Sequence, residues 1–479
     1  MIELTMADIS AMTGGVLLQG QPDCPIRGVS TDSRTLKPGN LFVPIVGESF
    51  NGHDFLLAAW KAEAGGFLTA REKAEQALSI AGDVAVVAVE DTLKAYGDIA
   101  ATWRRQWPGI VVAVTGSVGK TTTKEMIAAV LSRHKRILKS HGNFNNLVGL
   151  PKTLLELEPA DEVAVVELGA SRRGEISRLA EIAYPDVSVV TAIGPAHLEG
   201  FGTVNAIAEE KTAIFRNIRA GGVAVINADE PLIRTASTGT AGRSISFGIS
   251  ERADFQAVHL WRNKAGLLEF VLSAEGEEMK VALPVSGSHN VMNALAAAAA
   301  CRALGLSLKD IAAGLSRLNI PSGRMKIVRL ANGASLLDDS YNANPLSVTA
   351  ALDSLQDLSG EGRACVILGD MLELGDRAEE LHEEMGRLVA ERGVERLYAT
   401  GDHAEEVRRG ALTGGMGEDA VQIFHSWADI ADDAEAWIGE GDWILVKGSR
   451  GMKMERYAAA LAERFGLEQK NKGLAGTQT

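Results

Sequence analysis

The stretch Ile110-Val-Val-Ala-Val-Thr-Gly-Ser-Val-Gly-Lys-Thr-Thr-Thr-Lys124 decides how the rest of this 479-residue chain is read. An apolar strand over 110–114 runs into a turn with two glycines, and an amphipathic, helix-like sequence follows. Such a turn points backbone N–H groups at phosphate oxygens, and the helix N-terminus adds favourable partial charge. Thr115, Gly116, Ser117, Val118, Gly119, Lys120, Thr121 and Thr122 form the candidate ATP-binding loop. Gly116 and Gly119 permit the tight backbone, Lys120 reaches the outer phosphates, and Thr121 offers a hydroxyl to Mg²⁺. The strict pattern G-x-x-x-x-G-K-[ST] is not met, because Val114 stands at the first glycine position. An ordinary strand–turn–helix is the alternative, but the flanking strand and helix supply the context the motif demands.

Working outward, strands are expected at 162–168, 186–192 and 222–227, with helical patterns between several of them. That alternation favours a parallel sheet covered by helices. The alanine-rich run 293–304 reads as a buried helix. Turn-formers in Leu318-Asn-Ile-Pro-Ser-Gly-Arg324 mark a domain joint, beyond which strands recur at 364–368, 396–400 and 443–446. The first 85 residues are a mixed segment in which apolar runs such as Asn40-Leu-Phe-Val-Pro-Ile-Val46 are broken by turn signals. The expectation is an α/β protein of three domains, 1–85, 86–318 and 319–465, with a disordered tail over 466–479.

Forty-eight basic against 62 acidic residues give a net charge of −14, which argues against non-specific nucleic-acid binding. Cys24, Cys301 and Cys365 lie far apart without metal-ligand spacing, and the last two sit in apolar runs as buried reduced thiols would. The N-terminal residues carry acids where a secretion signal needs bases. No apolar run approaches the roughly 18–20 residues of a membrane span. A cytoplasmic protein without membrane insertion is expected.

Several polar loops follow strands. Glu167 ends the run Val163-Ala-Val-Val-Glu, where a carboxylate suits Mg²⁺ or a helix cap. His197, in Gly194-Pro-Ala-His-Leu-Glu-Gly200, is either a metal ligand or a satisfier of loop backbone groups. Lys211 reads as a helical lysine. Asn145 and Asn146 lie in an amide-rich segment suited to a polar substrate or to turn chemistry. Asp339-Ser-Tyr-Asn-Ala-Asn-Pro345, Gly369-Asp-Met-Leu-Glu-Leu-Gly375 and Lys447-Gly-Ser-Arg450 follow strands of one expected sheet and together resemble a binding face.

In their order these segments resemble the Mur ligase family, the ATP-dependent amide-forming enzymes of peptidoglycan synthesis. The resemblance spans Ser30-Thr-Asp-Ser-Arg34, the phosphate loop, Ala196–Gly200, Gly287-Ser-His-Asn290, Asp338–Pro345 and Lys447–Arg450. The missing first glycine is this family's own pattern, T-G-S-x-G-K-T-T. The runs 339–345 and 369–375 resemble the branch that adds D-alanyl-D-alanine to UDP-N-acetylmuramoyl-tripeptide, and the D-N-P-R motif of the preceding step is absent. The resemblance implies a central P-loop domain, a Rossmann-like C-terminal domain, ATP and Mg²⁺, and a monomer. It implies that Lys120, Glu167, His197 and Lys211 are catalytic, with Thr121, Glu167, His197 and a carbamylated Lys211 as metal ligands. Glu210-Lys-Thr-Ala213 departs from the commoner A-K-G-E around that lysine. Asn290 is implied at adenine, Arg324 and Asp339 at phosphate and ribose, and Ser33 at uracil. Asn145, Asn146, Tyr341 and Asn344 are the remaining substrate-binding candidates. A folylpolyglutamate-type synthetase and a nucleotide-switched binding protein are the competing readings.

Overall fold

The structure, a computed structural model, describes residues 4–468 apart from 48, 238–241, 264–266 and 320. Its first sheet has the strand order Val16–Gln19, Ala85–Val89, Gly66–Ala70, Leu41–Phe42, Val29–Ser30. The boundary read at residue 85 therefore falls on the first residue of a strand that belongs wholly to this sheet. Helix Thr92–Gln106 follows, its start fixed by Asp91, whose carboxylate accepts the Leu93 and Lys94 amides. Tyr96 and Ile99 pack in the first core and Ala100 and Ala101 in the central one, so this helix ties the two domains together.

The central sheet runs Glu277–Ala282, Leu268–Ala274, Phe255–Arg262, Arg243–Gly248, Val223–Asn227, Val187–Val190, Ile110–Thr115, Val163–Glu167, Ile137–Lys139. Strand Ile110–Thr115 lies between Val163–Glu167 and Val187–Val190, parallel to both. These strands are continuous apolar runs because both faces are covered. Val112 and Val114 face helices Lys120–Leu131 and Ser288–Ala303, while Val111 and Ala113 face Gly149–Leu155 and Glu175–Ala183. The strands at 110–115, 163–167, 187–190 and 223–227 match the sequence expectation. The antiparallel extension through Phe255–Arg262, Leu268–Ala274 and Glu277–Ala282 was not anticipated. The alanine-rich helix starts at Ser288, five residues before its expected start, and buries residues 294–301 against the phosphate-loop helix.

The third sheet has the order Lys326–Arg329, Ser335–Asp339, Trp443–Lys447, Ala364–Gly369, Arg396–Thr400, Val421–Ile423, all parallel except the first. Residues 466–468, assigned to the tail, instead lie along 329–331, with Glu468 N–H donating to Arg329 O at 3.0 Å. The rest of that expected tail, 469–479, lies outside the described residues. No described helix is long and apolar enough to cross a membrane.

A buried arginine pins the first joint. Arg104 is 2% exposed and donates to Ala183 O (3.0 Å), Tyr184 O (3.1 Å) and Asp186 Oδ2 (2.8 Å). Arg104 also donates to Trp107 O at 3.3 Å, so Arg104→Ala leaves four acceptors short of a donor and should cost about 3 kcal/mol, read as a lower urea midpoint of the central-domain transition. Arg219→Ala, at the half-exposed partner of the same carboxylate, should cost under about 1 kcal/mol.

Candidate active site

The phosphate loop is built by exclusion of side chains. Gly116 has φ +145°, and a Cβ there would lie 2.1 Å from Thr191 Oγ1. Gly119 has φ +81°, and its Cβ would lie 2.3 Å from Asn293 Oδ1. Both positions need glycine for conformation and for space. Thr191 bridges the loop by donating to Val118 O at 2.5 Å, and Ser117 Oγ donates to Gly194 O at 3.0 Å. Lys120 Nζ donates to Gly116 O (2.8 Å) and Ser117 O (3.3 Å) at the mouth of the loop. Desolvation lowers its pKa and Arg324 adds to the lowering, while Glu167 opposes both.

Glu167, 2% exposed, joins the loop to the next two segments. Thr121 Oγ1 donates to its Oε2 at 2.7 Å and Asn145 Nδ2 to its Oε1 at 2.8 Å. Ser140 Oγ accepts the Glu167 amide at 3.3 Å, and Lys124 Nζ donates to Ser140 O at 2.7 Å. A hydroxyl and a carboxylate at a phosphate loop suit a hard cation that keeps water and phosphate ligands. Among the described residues no cluster of three His, Cys, Asp or Glu forms a complete cage. The donor set fits a cation shared with a bound phosphate.

The facing wall comes from the third domain. Strands Ser335–Asp339, Trp443–Lys447 and Ala364–Gly369 are parallel neighbours, so the loops at their carboxyl ends adjoin. Lys447, buried, pairs with Asp339 and donates to Asn342 O at 3.0 Å. Arg324 lies 4.1 Å and Arg450 5.3 Å from the Tyr341 ring centre, leaving two guanidinium groups around one phenol. Between the walls is a cleft of about 750 Å³.

Family models match this layout segment by segment. The Mur ligase family catalytic domain matches residues 25–104, the Mur ligase middle domain 114–301, and the Mur ligase glutamate ligase domain 323–450. The UDP-N-acetylmuramoyl-tripeptide–D-alanyl-D-alanine ligase of Bacillus subtilis is 36% identical over 97% of this chain and 99% of its own length. The chain belongs to the Mur ligase family. The structure of MurF from Acinetobacter baumannii superposes with a TM-score of 0.87 at 33% identity, covering 96% of this chain and 99% of that one. A MurF ligase from Thermotoga maritima, solved with ADP, gives 0.82 at 28% identity over 92% and 98%.

In this Mur ligase the cleft is lined by Ser117, Val118, Gly119, Lys120, Thr121, Thr122, Asn145, Asn146, Glu167, His197, Asn290, Arg324, Asp339, Tyr341 and Asn344. Some of their side chains are already engaged. Asn146 Oδ1 accepts the Val148 and Gly149 amides, and Asn344 Oδ1 caps helix Pro345–Ser359 through Ser347 N. Asn290 donates to Ser286 O at 2.6 Å and accepts from Asn293 at 3.1 Å. Thr115 and Gly116 lie beneath the wall, and Ser33 lies in the first domain away from it. Lys211 also stands just behind: its Nζ donates to Ala170 O at 3.1 Å, 5.6 Å from the Phe201 ring centre. Burial and then Lys120 bring its pKa down to about 7, against the pull of Glu210, Glu175 and Glu167.

Sequence reasoning missed Thr191, Asn293, His289 and Ser140. Thr191 was read only as the first residue of the loop that carries His197, Ser140 stood in no motif, and Asn293 was read only as the start of an alanine helix. His289, beside the expected Asn290, lines the cleft with its pKa pushed down to about 4 by desolvation. Gly116→Ala should weaken ADP binding at least about 100-fold in calorimetric titration while the far-ultraviolet circular dichroism stays unchanged. Wild-type affinity in that variant would show that the Gly116 cradle does not hold the nucleotide.

Proposed function

We propose that this Mur ligase joins D-alanyl-D-alanine to the terminal carboxylate of UDP-N-acetylmuramoyl-tripeptide, using ATP and an acyl phosphate, in cytoplasmic peptidoglycan precursor synthesis. The observation that carries this reading is the pairing of walls: a phosphate loop on one side of the cleft faces Asp339, Tyr341 and Arg450 on the other. A nucleotide switch requires only the first wall. A two-substrate ligase requires both. The names of the full-length relatives supply the substrates.

A carboxylate is a poor acyl donor, so the γ-phosphoryl group is first transferred to the tripeptide carboxylate and ADP leaves. The dipeptide amine then attacks the acyl carbon, phosphate leaves, and the amine proton is lost to give a neutral amide. Positioning and charge neutralisation dominate such transfer. Lys120 reaches the outer phosphates, and Arg324, close enough to depress the Lys120 pKa, approaches from the third domain. Thr121 and Glu167 would hold one Mg²⁺ and His197 would help to hold a second, and these ions would offset phosphate charge. Asp339, fixed by Lys447 and the Met325 amide, accepts from ribose hydroxyls, and Asn290 stands at adenine. Asn145, Asn146, Tyr341 and Asn344 shape the peptide end, and Ser33 contacts uracil. Closure of the third domain excludes the water that would hydrolyse an acyl phosphate. The enzyme works as a monomer, since one chain supplies both walls.

Lys211 carries a carbamate in the working enzyme. The neutral amine attacks CO₂, a C–N bond forms as one C–O π bond becomes an oxygen lone pair, and one proton is released, which turns a neutral amine into an oxygen anion. A lysine whose pKa is brought down to about 7 is largely neutral above that pH and therefore reactive there. Below pH 7 the ammonium form dominates and carbamate is lost.

Release of phosphate from ATP should require UDP-N-acetylmuramoyl-tripeptide and D-alanyl-D-alanine together. Equal turnover without the dipeptide would overturn the ligase reading. Activity in CO₂-depleted buffer should rise through about pH 7 on adding bicarbonate, and Lys211→Ala should lose most activity and recover part of it with short carboxylic acids. A fully active Lys211→Ala removes the carbamate role.

A further inference from the structure

We propose that Glu373 is a positioning residue that latches the third domain onto the central one and fixes the ring of His197, a role resting on the ligase reading above. Glu373 Oε2 meets His197 Nδ1 across the domain boundary. The backbone supports the same contact, because Glu199 N–H donates to Glu373 O at 3.2 Å. Gly375 packs so closely that a Cβ there would lie 3.2 Å from Glu199 Cα.

Conformation gives an independent sign. His197 has φ +55° and Glu373 φ +63°, both in the left-handed region that residues with a side chain rarely adopt. Such strain persists where surrounding structure enforces it, and it gathers at functional contacts. Here two strained residues, 176 positions apart in sequence, meet side chain to side chain.

The loop bearing Glu373 is anchored from behind. Met371 N–H donates to His382 Nε2 at 2.9 Å, Leu372 N–H to Ser449 Oγ at 2.8 Å, and Ser449 N–H to Asp370 O at 2.9 Å. The His382 ring is buried, with its Nδ1 2.7 Å from Ala378 O, which fixes Nε2 as the acceptor. Glu373 thus moves with the third-domain sheet, and its contact with His197 exists only when the cleft is closed.

The consequence is chemical. A carboxylate that engages Nδ1 fixes the imidazole tautomer and leaves Nε2 as the nitrogen available to the cleft. Ser171 Oγ of the central domain also lies 3.4 Å from Nδ1, a longer and neutral contact, so the carboxylate from the other domain completes the orientation of His197 when both walls are in place. The two side chains are 29% and 52% exposed, so the pair is weak enough to break at every turnover.

The test uses the full chain, with small-angle X-ray scattering in saturating non-hydrolysable ATP analogue beside steady-state kinetics. Glu373→Gly relieves the backbone and removes the carboxylate. It should keep the thermal midpoint and ADP affinity within about twofold, enlarge the radius of gyration toward the nucleotide-free value, and lower kcat about tenfold at unchanged KM for ATP. Glu373→Gln, whose amide oxygen still accepts from Nδ1–H, should fall between it and wild type. Wild-type scattering and kcat in Glu373→Gly overturn the latch, as does a lowered midpoint with proportionate loss of nucleotide affinity, which marks a merely structural residue. Dipeptide-independent ATP turnover by the wild type would sink the ligase reading instead, and the scattering result stands apart from it.

Discussion

Glu167 is a buried carboxylate held by two neutral donors, Thr121 and Asn145. A charge removed from water is tolerated when paired or when it coordinates a cation, and neutral hydrogen bonds alone leave it under-compensated. The nearby cations do not salt-bridge it. Lys120 bonds to loop carbonyls and Lys211 to Ala170, yet each lies within electrostatic reach of Glu167. The site therefore combines a carboxylate suited to a cation with Lys120, a cation suited to an anion. A metal-bound polyphosphate satisfies both at once, and neither alone does. This one unsatisfied balance sets the chemistry of the cleft.

The position of Glu167 follows from the parallel sheet. Strands Ile110–Thr115, Val163–Glu167 and Val187–Val190 run the same way, so their carboxyl ends deliver the phosphate loop, Glu167 and Thr191 to one edge. The third sheet repeats the device, with Asp339, Lys447 and Gly369 ending three adjacent strands. Ligands bind at such edges because the loops there are free to vary over a rigid base. Two sheets placed with these edges toward one cleft give it two polar walls, each built by the same rule.

Much of this was legible from local sequence. The strand–glycine–helix pattern at 110–124 gave the phosphate loop, and three polar runs after apolar strands gave the opposite wall. Continuous valine runs identified buried parallel strands because burial on both faces erases alternation. The antiparallel strands at 255–282 escaped notice because they carry polar residues on an exposed face and no glycine-rich motif. Thr191 and Asn293 escaped because their role is to occupy the space that Gly116 and Gly119 leave open, a relation set only by packing. Asn146 was read for a polar substrate or for turn chemistry and Asn344 for substrate, and the structure uses both side-chain oxygens at helix starts. The tail at 466–468 looked disordered by composition, yet its backbone pairs with residues 329–331, and backbone pairing leaves little trace in composition.

The joint between the walls is itself part of the site. Gly323 N–H donates to Asp338 Oδ2 at 2.9 Å, Met325 N–H to Asp339 Oδ1 at 3.1 Å, and Tyr341 N–H to Gly323 O at 3.0 Å. The segment entering the third domain is thus bonded to the loop that carries Asp339 and Tyr341. Lys447 ties the same loop to the neighbouring strand through Asp339 and Asn342 O. Joint, acceptor loop and sheet form one hydrogen-bonded unit, so a rotation of the domain carries the acceptor groups without rearranging them. Arg324 lies inside this unit, stacked on Tyr341, and it is also the third-domain cation that Lys120 feels. Two cations brought toward each other by closure repel, and a polyphosphate between them reverses that repulsion. A polyphosphate held there would therefore favour the approach of the two walls through charge, alongside the contact between Glu373 and His197.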